Sequence, residues 1–247
     1  MDKRALIAGP APVLRINVVR ATRVFVDADP GAHRVAVFLE SLGAGFGHAL
    51  ATASLSYVAG QNLLTVPAPA VTPPLPAAGP LTGANTRRRS HRRRRFAWSG
   101  ARPGPVPAAP RQAPVREELY VYLLVPTGTE VHLELGQSDL YVGEPPATLF
   151  ARISAGDVDL ASVGKADVRV GHGDIRIRSS AGRLAADTGA GHIEALRVGG
   201  VARLRNGDGD IGVLCDNPDR LVVIAPSGHA LIQGEYAWEN VLREHAR

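Results

Sequence analysis

The chain has 247 residues, 45% hydrophobic and only 5% aromatic, so its core has to be assembled from Val, Leu, Ile and Ala rather than from large rings. The formal charge is +5, but seven arginines fall within residues 87–95, and without them the chain is slightly acidic. Cys215 is the sole cysteine, which excludes an intrachain disulfide and a paired-cysteine metal site.

Residues 10–66 form a first region with strand character. Apolar and polar residues alternate over 13–18, 23–27 and 34–39, and again over 54–57 and 62–66. Asp29-Pro30-Gly31 and Gly60 mark turns between them. The pattern predicts short antiparallel strands.

Residues 67–116 break that pattern. Eleven of the nineteen prolines lie here, mixed with Ala, Gly and the arginine run. Such a segment has little apolar surface to bury and predicts a disordered insertion or linker. Arg87, Arg88, Arg89, Arg92, Arg93, Arg94 and Arg95, with Phe96 and Trp98 beside them, are candidates for weak contact with nucleic acid or an anionic membrane. The competing reading is a low-complexity insertion with no partner.

From 117 to 234 the chain repeats itself. Strand-like 119–125 leads through Pro126-Thr127-Gly128 to 131–135, and then a short unit recurs: in four of six copies Gly, then a variable residue, Gly or Ser, Asp or His, an aliphatic. The Asp/His position falls at Asp139, Asp157, Asp174, His192, Asp210 and His229, at intervals of 18, 17, 18, 18 and 19 residues. Apolar residues flank it at fixed offsets, such as Val158 and Leu160 after one corner or Leu184 and Ala186 before another. A fixed period with two strands and two turns per repeat predicts an all-β, single-stranded β-solenoid of about 18 residues per coil. Outward positions such as Asp159, Arg176 and Glu194, or Arg169, Asp187 and Arg205, alternate in sign between neighbouring coils, which a stacked ladder favours. Residues 235–247 read as a capping tail. Tyr236, Trp238, Val241 and Leu242 are spaced for a short amphipathic helix packed near Val222 and Ile224.

The run 124–131 and the units Gly171-His172-Gly173-Asp174-Ile175 and Gly207-Asp208-Gly209-Asp210-Ile211 resemble the bacterial putative-adhesin family of β-solenoid domains. The likeness runs over about 119–214. It implies a coiled all-β domain with an adhesin-like, non-catalytic role, and brings no shared catalytic or binding motif.

The residues themselves carry no phosphate-binding loop, zinc-protease motif or nucleophile elbow, so no enzyme activity is expected. One carboxylate per coil is too few for calcium, which takes six to eight oxygens. His192 and His229 stand two coils apart, too far to share one ion. The corner column therefore reads as structural, with Asp capping backbone N–H groups and Gly supplying the turn. No cofactor or metal is expected, and the partner is expected to be protein, including a second copy of the chain. No stretch approaches the ~18 apolar residues of a membrane span, and the N-terminus lacks the apolar core of a secretory leader. A cytoplasmic protein is expected.

Overall fold

The computed structural model describes residues 2–8, 13–42, 47–58, 61–66, 118–235 and 241–244. The arginine run and residues 236–240 lie outside them, so the expectation of disorder over 67–116 does too.

The N-terminal region contains β1 (Asp2–Ala8), β2 (Val13–Asp29), β3 (Val35–Leu42), the short helix α1 (Gly47–Thr52), β4 (Ser54–Val58) and β5 (Gln61–Val66). After the Pro/Arg segment come β6 (Glu118–Pro126), β7 (Glu130–Val142), β8 (Thr148–Ala155), β9 (Val158–Leu160), β10 (Val163–His172) and β11 (Ile175–Ile177). The chain then continues through β12 (Ser180–Ala190), β13 (Ile193–Val198), β14 (Val201–Asp208), β15 (Ile211–Asp216), β16 (Arg220–Ile224), β17 (Ala230–Glu235) and β18 (Val241–Glu244).

Two sheets result. In sheet I the strands preceding each corner stack parallel, putting Leu149, Ala166, Leu184, Ala202 and Leu221 in one column. In sheet II the strands following each corner do the same with Val158, Ile175, Ile193, Ile211 and Ala230. This is the β-solenoid that the period predicts. Period-2 alternation sends one face of every strand inward. Both inward columns belong to one buried aliphatic cluster, with Leu160, Ile177 and Leu204 fully covered. Each fully buried Val, Leu or Ile contributes about 1.5–3 kcal/mol. Aromatics are not needed inside, because a column stacked every ~4.8 Å is filled by side chains of Val to Leu size.

The N-terminal strands differ from a purely antiparallel arrangement. The antiparallel pairs are β1 with β3, β3 with β6, and β4 with β5. The segments 13–18 and 23–27, however, are one strand, β2, and it runs parallel to β7 along both halves with an irregularity between Arg20 and Arg23. Thus β2 is the first coil of the solenoid. Its inward residues Leu14, Ile16, Val24 and Val26 stand in the same columns that later coils continue. The sequence hides this because β2 carries no Gly-Asp corner. Ser138 stands in for it: its hydroxyl accepts from the Ala21 N–H at 3.1 Å and donates to the Gln137 carbonyl at 2.7 Å.

Strands β5 and β6, parallel to β2, extend the two sheets past this coil, and β4 and β3 add to them antiparallel. Phe25, between Tyr122 and Tyr141, is stacked on both at 4.8 and 5.2 Å. These rings use their faces on one another, and the stack ties β6, β2 and β7 together from outside. Leu50 and Ala53 are buried at α1. Arg4 Nη1 donates to the carbonyls of Leu50 and Ala51 at 2.8 and 2.6 Å, satisfying acceptors that a helix end leaves open.

Over 241–244 the structure corrects the expectation of an amphipathic helix; Tyr236 and Trp238 lie outside the described residues. Residues 241–244 are strand β18, parallel to β16, with Leu242 opposite Val222 and Glu244 opposite Ile224. The tail does meet Val222 and Ile224, but as another rung. Extended pairing satisfies the outer backbone groups of β16, which a helix packed on side chains would leave unpaired.

Candidate functional site

The repeated corner is held by a ladder of side chain to backbone hydrogen bonds. Asp139 Oδ1 accepts from the Asp157 N–H at 3.0 Å, Asp157 Oδ1 from the Asp174 N–H at 3.0 Å, and Asp174 Oδ1 from the His192 N–H at 2.8 Å. His192 Nδ1 then accepts from the Asp210 N–H at 3.3 Å, and Asp210 Oδ1 from the His229 N–H at 2.9 Å. Each of the first five members caps the equivalent residue of the next coil. Asp and His interchange here because Oδ1 and Nδ1 sit the same number of bonds from Cβ. The contact assigns the His192 proton to Nε2.

The residue before the corner is glycine from the second corner on. At Gly156, Gly173, Gly191 and Gly209, φ lies between 128° and 144°, a region that side chains avoid. A Cβ at any of them would stand 1.9–2.3 Å from a carbonyl oxygen of the preceding coil. The six column residues are thereby committed to closing coils. His229 Nδ1 also approaches Asp210 Oδ1 at 3.4 Å. The hydrogen bonds that Asp210 accepts from His229, its backbone N–H first, hold its carboxyl below the ordinary carboxylate range. Among the described residues no cluster of three His, Cys, Asp or Glu side chains is arranged to hold a metal ion. Cys215 is buried in β15, and burial pushes its thiol up.

The outward faces differ from one another. On sheet II, Arg176 reaches Glu194 and Arg178 reaches Asp159, each at 2.9 Å, so these charges cancel in pairs. Sheet I from β8 to β16 carries seven cations against three carboxylates, Asp167, Asp187 and Asp208. Lys165, Arg183 and Arg220 share one row of the ladder with Val201. Arg203 stands in the next row, and Arg152, Arg169 and Arg205 in a third. Asp167 engages Arg169 at 3.3 Å and Asp187 engages Arg205 at 3.5 Å. Among the described residues no ion pair involves Arg152, Lys165, Arg183, Arg203 or Arg220, all of them exposed. Column-by-column reading of the sequence found alternating sign and missed this excess, which appears only when all three rows are laid side by side.

The same face is furrowed. Three open depressions of about 320, 270 and 230 Å³ follow one another from β2 to β14. The first two share Glu134 and Arg152; the second and third share Asp167 and Arg169. They make one shallow trough running across the strands, along the direction in which coils stack. Phe150, stacked on His132 at 4.7 Å, stands in its wall. Ala185 forms part of its lining farther along. The arginines of 87–95 lie outside the described residues, so the structure does not place them against this face.

Corner ladder and stacked sheets define the chain as a β-solenoid repeat protein. No family model matches the chain, and no curated protein does. Among solved structures it is similar to a "putative adhesin" of Bacteroides fragilis at 10% identity and a TM-score of 0.39, covering 99% of this chain and 97% of that one. A "putative cell adhesion protein" of Clostridium sporogenes is similar at 11% identity and a TM-score of 0.38, covering 100% and 99%. A "putative adhesin" of Parabacteroides distasonis is similar at 10% identity and 0.39, covering 98% and 97%. Likeness of that degree carries nothing about what this chain binds.

Proposed function

We propose that the chain is a non-catalytic interaction module that uses the outer face of sheet I to bind acidic partners. One observation carries this reading: among the described residues five exposed cations free of ion pairs stand on a single face, while on sheet II Arg176 and Arg178 are each held by a carboxylate. Flat ladders hold side chains at fixed spacing, so little ordering is needed when a partner binds. Exposed charges interact over about 8–10 Å at moderate salt, and the attraction falls as salt rises.

Retention on an anionic matrix, eluted with a salt gradient, tests it. A variant with Lys165, Arg183 and Arg203 each changed to Glu is expected to elute at lower salt than a variant with Arg87, Arg88 and Arg89 each changed to Glu. The two have equal net charge. Equal elution, or earlier elution of the second variant, would move the activity to the arginine run and sink the reading. An equimolar mixture run through sedimentation at low and high salt separates a foreign acidic partner from self-association.

A further inference from the structure

We infer that the trough on sheet I binds an extended acidic polysaccharide, lying along the stacking direction of the coils. The inference rests on the cationic face proposed above and names its ligand class.

The shape comes first. The trough crosses β2, β7, β8, β10, β12 and β14. At ~4.8 Å per strand it is about 24 Å long, the reach of a short oligosaccharide. Neighbouring depressions adjoin, with Glu134 and Arg152 lining the first two and Asp167 and Arg169 the second and third. A linear polymer fits a furrow of this kind; a planar lipid surface meets only its rims.

Chemistry then selects among linear anions. Arg152 and Arg203 stand in the trough with no ion pair among the described residues, ready to hold carboxylate or sulfate groups in charge-assisted contacts. Between them stand the carboxylates Asp167 and Asp187, and Glu134 lies toward the β7 end. A phosphodiester chain, charged at every unit and short of donors on its backbone, meets these carboxylates as repulsion. An acidic sugar chain presents hydroxyl groups between its charges, and a carboxylate accepts hydrogen bonds from hydroxyls. Phe150, half-buried in the wall, supplies apolar surface for the C–H face of a ring.

Binding of the full-length protein to oligogalacturonate, measured by calorimetry, tests the inference. Neutral dextran, single-stranded DNA and phosphatidylglycerol vesicles are the comparison probes. The expected result is preferential, salt-sensitive binding of oligogalacturonate. Changing Arg152 and Arg203 together to Gln is expected to weaken it about tenfold or more. These side chains make no ion pair in the described structure, and unchanged thermal melting of the variant shows that it folds. Replacing the seven arginines of 87–95 with Gln is expected to leave binding in place. Preference for DNA or for vesicles that is lost in the Arg152/Arg203 variant would overturn the polysaccharide and keep the cationic face. Binding that survives in that variant and disappears with the 87–95 variant would overturn both, as would the absence of salt-sensitive binding to any probe.

Discussion

Gly191 offers the sharpest test of how the coils are locked. Changing it to alanine adds one methyl group, and that group has nowhere to go. The residue sits at φ 138°, and a Cβ there would lie 2.3 Å from the Gly173 oxygen, 2.7 Å from its carbon and 3.0 Å from Asp174 Oδ1. The Gly173 carbonyl belongs to the preceding coil and also accepts from Thr188 Oγ1 at 3.0 Å, so it cannot swing aside freely. Holding a side chain at such a φ costs about 1–3 kcal/mol. Relieving the overlap by shifting one coil on the next costs about 1–3 kcal/mol more. The expected loss is therefore about 2–6 kcal/mol, against the 5–15 kcal/mol of an ordinary domain. Urea unfolding followed by far-ultraviolet circular dichroism measures it, with Gly212→Ala as the control. Gly212 has nothing within 4 Å of a built Cβ and no unusual φ, so its replacement is expected to be neutral or slightly stabilising. A reduced slope in the Gly191 variant would mean that the coils beyond the corner open separately, as stacked repeats can. A Gly191→Ala stability within about 1 kcal/mol of Gly212→Ala would refute the close-approach argument.

Three further outcomes follow from side chains inside or along the coils. Asn206 is fully buried, with Nδ2 donating to the Gly191 carbonyl at 2.7 Å while Oδ1 has no partner. Thr188, one coil earlier in the same column, makes the corresponding bond without an orphan oxygen. Asn206→Thr is expected to stabilise by about 1 kcal/mol in urea unfolding, and a loss would count against the column equivalence. The depressed Asp210 carboxyl adds stability above its unfolded-state pKa, which is lost as pH falls through the lower folded value. Melting temperature followed down from about pH 6 should therefore drop less steeply in Asp210→Asn than in the parent below about pH 4; identical acid limbs would contradict it. Cys215, 5% exposed and with its thiol pushed up by burial, is expected to react with an aromatic disulfide reagent far more slowly in buffer than in urea. Comparable rates would show that β15 opens readily.

The solenoid was legible because its construction is local and repeated. Gly before Asp or His, then an aliphatic, returns at 17 to 19 residues, and no other arrangement puts those residues into register so many times. What escaped was non-local or unrepeated. β2 is a coil without a corner motif, and its role depends on Leu14 and Ile16 meeting Val131 and Leu133 more than a hundred residues away. The tail offered Tyr236, Trp238, Val241 and Leu242 at helical spacing, yet β16 presented an open edge, and an edge captures a chain through its backbone whatever the side-chain period.

The candidate site escaped for a related reason. Sign alternation between coils holds where the sequence expects it: Asp187 engages Arg205 of the following coil, and Arg176 engages Glu194. Arg169, which faces Asp187 across the ladder, turns along its own strand to Asp167 instead. Asp167 and Asp187 are thus each taken by one arginine, and Arg152, Lys165, Arg183, Arg203 and Arg220 have no ion pair among the described residues. Salt bridges this exposed add little to stability, so stability alone does not explain seven cations against three carboxylates from β8 to β16. Every coil can close with any outward residue, since the corner ladder and the inward columns do that work. The outward rows are therefore the part of this repeat free to be shaped by what lies against them, and on sheet I their charge calls for an anion.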